Sequence, residues 1–199
     1  TQLAEESGDR RQQARALHGI ASIYNLMGDL SSAVNNCLQA IAILEDIGDQ
    51  YGQAVVLTNL SSLYTTQENG QAAVETAQRA RTLYQQIGLG ENPHYETGAL
   101  LSLAKAYFAQ GEFDSAIRVL NETAAMAERY SLEMIRSELL LLRADIDNAR
   151  GDKHAAISSY VEGLALMEAQ KRSSFFYESH RKLSEAYQAI GDFQNALTA

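Results

Sequence analysis

Residues 17–37 read LHGIASIYNLMGDLSSAVNNC, residues 57–77 read LTNLSSLYTTQENGQAAVETA, and residues 100–120 read LLSLAKAYFAQGEFDSAIRVL. Set one above another, the three agree in kind at six places. Leu17, Leu57 and Leu100 open them, followed by Ile20, Leu60 and Leu103. A small residue comes next (Ala21, Ser61, Ala104), then Tyr24, Tyr64 and Tyr107. Ala33, Ala73 and Ala116 follow, and Cys37, Ala77 and Leu120 close the series. The first four places fall on one face of a helix. Between the tyrosine and the later alanine stands a helix-stopping turn: Gly28-Asp29, Asn69-Gly70 or Gly111-Glu112. Each stretch therefore predicts a helix, a turn and a second helix.

The pattern continues in both directions. Gly151-Asp152 and Gly191-Asp192 repeat the turn, with Ala156 and Ala196 five residues after each glycine. Gly48-Asp49 marks the end of a unit. Tyr24 to Tyr64 is 40 residues, Tyr64 to Tyr107 is 43, and Tyr107 to Tyr187 is 80. A fourth unit keeps Leu140, Ala144, Ala156 and Tyr160 but puts Arg143 and Asp147 in apolar places. A fifth begins with Leu183, Ser184, Tyr187, Gly191 and Ala196.

These units resemble tetratricopeptide repeats, whose pattern is Trp-x-x-Leu-Gly-x-x-Tyr, then Ala-x-x-x-Phe, then Pro. The terminal Pro is missing and the period is longer than the family's, similar to the units of bacterial signalling proteins and kinesin light chains. The resemblance implies an all-α fold: an α-solenoid, a right-handed superhelix of stacked helix-turn-helix units. One array is expected over 1–199, with repeats at 14–50, 51–90, 94–130 and 134–170 and a partial repeat at 174–199. Residues 1–9 read as the end of a preceding repeat, because Glu6-Ser-Gly-Asp9 mimics Asp46-Ile-Gly-Asp49. Gly88 to Pro93 reads as the clearest loop. Neither end carries a recognisable polar capping helix, so a fragment of a longer protein is expected.

Composition narrows the function. A net charge of −9 argues against nucleic acid, which is bound by neutralising phosphates with Lys and Arg. It argues equally against an anionic membrane surface. The longest wholly apolar run, Leu139–Leu142, is far too short to span a bilayer, and no signal peptide is visible. The single cysteine, Cys37, suits a reducing compartment and reads as a packing residue. The expected location is cytoplasmic.

No catalytic constellation stands out. His18, His94, His154 and His180 lie in different units without metal-ligand spacing. Gly88-x-Gly90-x-x-Pro93 follows a helix, not a strand, and lacks a third glycine, so it is no dinucleotide loop. The chain is expected not to be an enzyme and to hold no cofactor and no metal.

In the family the first helix of each unit faces the ligand. The resemblance therefore implies partner contacts at Arg15, His18, Ser22 and Asn25 in the first unit and Thr58, Asn59, Ser62 and Thr65 in the second. Leu101, Lys105 and Phe108 follow in the third, Asp145 and Asn148 in the fourth, and Arg181, Lys182 and Glu185 in the fifth. The subclass that clamps a terminal carboxylate has Lys, Arg and Asn at set places. Here Asn59 fits, but His18, Ser22, Gly98 and Ser102 hold the others, so that activity is not expected.

Arg143 and Asp147, four apart on one helix, read either as a satisfied structural pair or as a hot spot within the groove. The aromatics of Lys171-Arg-Ser-Ser-Phe-Phe-Tyr177 read as packing between units, with an exposed docking patch as the alternative.

The expected function is a non-catalytic protein- or peptide-binding scaffold, with self-association a further option. It resembles the regulatory or sensory segments of bacterial signalling proteins such as diguanylate cyclases. His180 to Phe193 is similar to the last repeat before an output domain there. The alternatives are the ligand-sensing arm of a transcription regulator, or a stand-alone assembly or dimerisation adaptor.

Overall fold

The computed structural model describes residues 2–88, 93–171 and 176–199, with side chains from residue 9 onward. The helices are α1 (Gln2–Leu26), α2 (Leu30–Asp46), α3 (Gln50–Thr66), α4 (Gly70–Ile87), α5 (Pro93–Ala109), α6 (Phe113–Arg129), α7 (Glu133–Ala149), α8 (Lys153–Ala169), α9 (Phe176–Ala189) and α10 (Phe193–Ala196). Among the described residues there is no strand. The chain forms two compact units, Thr1–Gly111 with α1 to α5 and Glu112–Ala199 with α6 to α10. Each is a stack of antiparallel helical hairpins, the all-α solenoid arrangement the repeats imply. In the first unit α1 packs on α2, α2 on α3, α3 on α4 and α4 on α5. In the second, α6 packs on α7, α7 on α8, α8 on α9 and α9 on α10.

The Gly-Asp pairs explain where the helices stop. Gly28 sits at φ +78°, a left-handed conformation that L side chains resist. From there its amide reaches back to the Asn25 carbonyl at 3.0 Å, and the Asp29 amide to the Tyr24 carbonyl at 2.9 Å. The Asp29 carboxylate then accepts from the Ser32 amide at 3.0 Å and caps α2. Asp49, Asn69, Asp152 and Asp192 cap α3, α4, α8 and α10 in the same way. Such a cap is worth roughly 1 kcal/mol.

Two turns differ from expectation. At the Asn69-Gly70 turn the left-handed residue is Glu68, with φ 59°, and Gly70 is already the first residue of α4. Gly70 answers a different need: a Cβ there would lie 2.4 Å from Gln110 Cγ. Gly8-Asp9, read as a turn, lies inside α1, which runs on without a break. The loop expected at Gly88–Pro93 falls mostly outside the described residues. Its flanks agree with it, because α4 ends at Ile87 and α5 starts on Pro93, a residue suited to a first helical position.

Small residues let the paired helices approach closely. Ala33, Cys37 and Ala40 on α2, and Ala73, Ala77 and Ala80 on α4, are all at most 1% exposed. Where the first helix offers serine in the small place, the serine ties the hairpin together. Ser61 Oγ donates to the Ala73 carbonyl at 2.8 Å, and Ser184 Oγ donates to the Ala196 carbonyl at 2.7 Å. Leu57 and Leu60 fill the first unit's core beside Leu44 and Ile41. Burying a side chain of that size stabilises by about 1.5–3 kcal/mol. Ile20 departs from its motif, being 41% exposed where Leu60 and Leu103 are buried. The aromatics that open α9 divide as well: Phe176 packs against the second unit's core, while Tyr177 is 81% exposed.

Candidate functional site

α1 and α3 lie side by side in the first unit, and the residues one turn apart on each create a groove of about 190 Å³. His18, Ser22 and Asn25 line it from α1, and Asn59, Ser62 and Thr66 from α3, with Ala21, Leu63 and Cys37 beneath them. Five of the residues expected to meet a partner therefore converge here. None of the lining side chains carries a charge at neutral pH. The Asn59 amide nitrogen lies 2.5 Å from His18 Nε2 and donates to it, which places the ring proton on Nδ1. Burial holds the His18 pKa below its usual value, so the imidazole is neutral and able to accept. Ser22 and Ser62 donate to the carbonyls of His18 and Thr58, at 3.2 and 3.4 Å, leaving lone pairs for a ligand. The Asn25 amide has no partner among the described residues. The groove thus offers neutral donors and acceptors, the chemistry of a peptide main chain.

His18 also borders a second, wider cleft of about 480 Å³. Arg11 and Arg15 from α1, Tyr51, Val55 and Val56 from α3, and Tyr95 from α5 line it, with Leu44 and Asp49 at its base. The Tyr51 and Tyr95 rings meet edge to face at 5.2 Å, and Tyr84 stacks on Tyr95 at 6.3 Å. Burial, then the Tyr95 hydroxyl, raises the Tyr51 pKa against the pull of Arg15, so the phenol stays protonated. Burial pushes the Tyr84 phenol up to about 12. The aromatic cluster was not among the expected contacts.

The other expected contacts are placed elsewhere. Thr58 is half-buried and donates to the Ala54 carbonyl at 2.9 Å. Lys105 and Phe108 are half-buried on α5 and line neither cavity. Asn148, Arg181 and Lys182 belong to the second unit. Asn148 accepts from Lys153 Nζ at 2.6 Å, and Arg181 pairs with Glu178 and Glu185. Lys182 Nζ stands 2.9 Å from both oxygens of Asp145. Arg143 and Asp147 form an ion pair at 3.1 Å, and Arg143 also reaches Asn121 Oδ1 at 3.4 Å. Cys37 is buried, and burial pushes its thiol up to about 11, which leaves it a poor nucleophile. Among the described residues no three His, Cys, Asp or Glu side chains gather as a metal site, and no helix is long and apolar enough to cross a membrane.

Hairpins stacked on a small-residue core, with side chains aligned along an open groove, define a helical-repeat scaffold. The chain belongs to the tetratricopeptide-repeat family: one model of that repeat matches residues 2–86 and another residues 71–130. A search of curated proteins finds no match. Solved structures share the fold. Nearly identical repeats of a kinesin light chain candidate from Podospora anserina superpose with a TM-score of 0.69 at 23% identity, covering 94% of this chain and 91% of that one. A Rap protein complexed with competence and sporulation factor gives 0.84 at 13% identity, over 94% of this chain and 51% of that one. NprR in complex with its cognate peptide NprX gives 0.77 at 14%, over 95% and 54%. The chain spans about half the length of these last two.

Proposed function

We propose that the chain is the peptide-sensing arm of a regulatory protein, and that the α1–α3 groove receives an extended peptide. The observation that carries this reading is the convergence of His18, Ser22, Asn25, Asn59 and Ser62 on one uncharged polar groove. An asparagine amide can donate to and accept from a single peptide unit, so it holds a main chain whatever the side chains. The similarity to NprR, solved in complex with its cognate peptide, supports the same reading at the level of fold. A diguanylate cyclase as the output domain draws no support from these similarities, and the regulator arm is the better placement. Peptide capture here would shift the population of an output domain. Cytoplasmic location and indifference to nucleic acid belong to the same proposal.

The test is a library of free hexapeptides, read by the melting temperature of the chain. Some pools should raise it, as a ligand of the folded state must. The exposed pair Asn25→Ala with Asn59→Ala should abolish the rise while leaving the ligand-free melting close to its starting value. A library without effect, or a rise undiminished in the double variant, overturns the reading.

A further inference from the structure

The cleft beside the groove has a different chemistry. Its charges nearly cancel: Arg11 Nε lies 2.6 Å from Asp49 Oδ2, and Asp49 is further occupied by the Gly52 amide at 2.9 Å. Arg15 is left over. It is exposed, lines the cleft and has no ion pair among the described residues. A net positive cleft in a chain of net charge −9 marks a local preference for an anion. Two phenols, Tyr51 and Tyr95, line the same cleft, and Leu44, Val55 and Val56 add apolar surface. Tyr51 and Tyr95 are 37% and 38% exposed, so their edges remain available to a ligand.

We propose that this cleft binds an apolar body carrying one carboxylate, with Arg15 and the Tyr95 hydroxyl on the carboxylate and the Tyr51 and Tyr95 rings and Val55 on the body. The guanidinium and a carboxylate match in geometry, and a phenol is a short-range donor to the same group. The cleft of about 480 Å³ accommodates a ring or branched side chain, and with Arg11 held by Asp49 it leaves no second unpaired cation for a second acid. The positions that form a carboxylate clamp in relatives are not what recognises it, apart from the shared border at His18. Two sources have this chemistry: a small organic acid, and the free end of a peptide that finishes on an apolar residue.

Calorimetry on the intact chain separates them. The probes are 4-phenylbutyrate, 4-phenylbutanol, and a pentapeptide ending in phenylalanine in its free-acid and amide forms. A bound acid should exceed its uncharged partner by about tenfold or more, the usual worth of a charge-assisted hydrogen bond. Arg15→Ala should remove that preference, Arg15→Lys should restore part of it, and Tyr95→Phe should weaken the acid by a few-fold. Arg15 is exposed, so the variants should melt like the parent chain. Binding of 4-phenylbutyrate without the peptide assigns the cleft to small acids, and binding of the free-acid peptide without 4-phenylbutyrate assigns it to peptide ends. Equal affinity for acid and alcohol, an unaltered preference in Arg15→Ala, or no binding of either acid overturns the proposal. Its fate is separate from that of the peptide groove: Arg15→Ala reads the cleft, and the double asparagine variant reads the groove.

Discussion

The Tyr160 hydroxyl lies 2.5 Å from Asp145 Oδ1 and donates to it from a wholly buried ring. Asp145 thereby joins three helices, because Lys182 on α9 grips the same carboxylate that Tyr160 on α8 addresses from below. The two partners are unequal. Lys182 is partly exposed and can return to water, whereas the phenol cannot. Asp145→Ala should therefore destabilise the second unit by about 2 kcal/mol, mostly by stranding a buried hydroxyl. Lys182→Ala should cost less than about 1 kcal/mol, as partly exposed ion pairs do. Urea unfolding of both variants checks this, and equal losses would show that the ion pair, not the phenol, dominates.

Arg143 and Asp147 occupy places that hold Leu or Ile and Tyr in the other units. Asp147 is 14% exposed and Arg143 38%, so solvent screens the pair in part. Removing Asp147 alone should cost about 1–2 kcal/mol, below the range of a fully buried pair. Restoring the repeat pattern with Arg143→Leu and Asp147→Tyr together should recover most of that loss. Denaturant midpoints of the single and double variants decide it: a double variant no more stable than Asp147→Ala removes the claim.

Glu68 holds a left-handed backbone that glycine occupies in the sister turns. Glu68→Gly should stabilise the first unit by about 0.5–1 kcal/mol, the relief of strain less the added freedom of the unfolded chain. Gly28→Ala, the reverse exchange at φ +78°, should destabilise by about 1 kcal/mol. Melting temperatures moving in opposite directions are the expected readout.

His18 carries a lowered pKa because burial disfavours the charged ring. Its contribution is full above the unfolded value of about 6.5 and is lost as the pH falls through the folded value. Stability should therefore fall on acidification from about pH 7 towards 5, and His18→Gln should flatten that part of the profile. Melting scans across the range test it. An unchanged slope in the variant would assign the acid sensitivity to carboxylates instead.

Much of the fold is legible in the chain itself. Leu57, Leu60 and Ser61 recur at helical spacing, and the Gly28-Asp29 turn announces both a stop and a cap. The α1–α3 groove is legible too, since Asn25 and Asn59 follow from knowing which helix face is left over once the apolar places are taken. The aromatic cleft is not. Tyr51, Tyr84 and Tyr95 come from the first turn of α3, the last turns of α4 and the first turn of α5. In the register that pairs Leu57 with Leu100, Tyr51 corresponds to His94 and not to Tyr95, so no periodicity links them. Lys182 shows the converse limit. A cation on the expected face looks free in the sequence, and only the fold brings Asp145 against it.

The imidazole of His18 borders both the groove and the cleft. One lone pair, on Nε2, is already given to Asn59. An occupant of the cleft that draws this ring towards itself loosens the asparagine on which an occupant of the groove depends. The two compartments are then antagonists arbitrated by a single side chain. Thermodynamic reciprocity fixes the consequence: whatever factor one guest imposes on the other, it suffers in return.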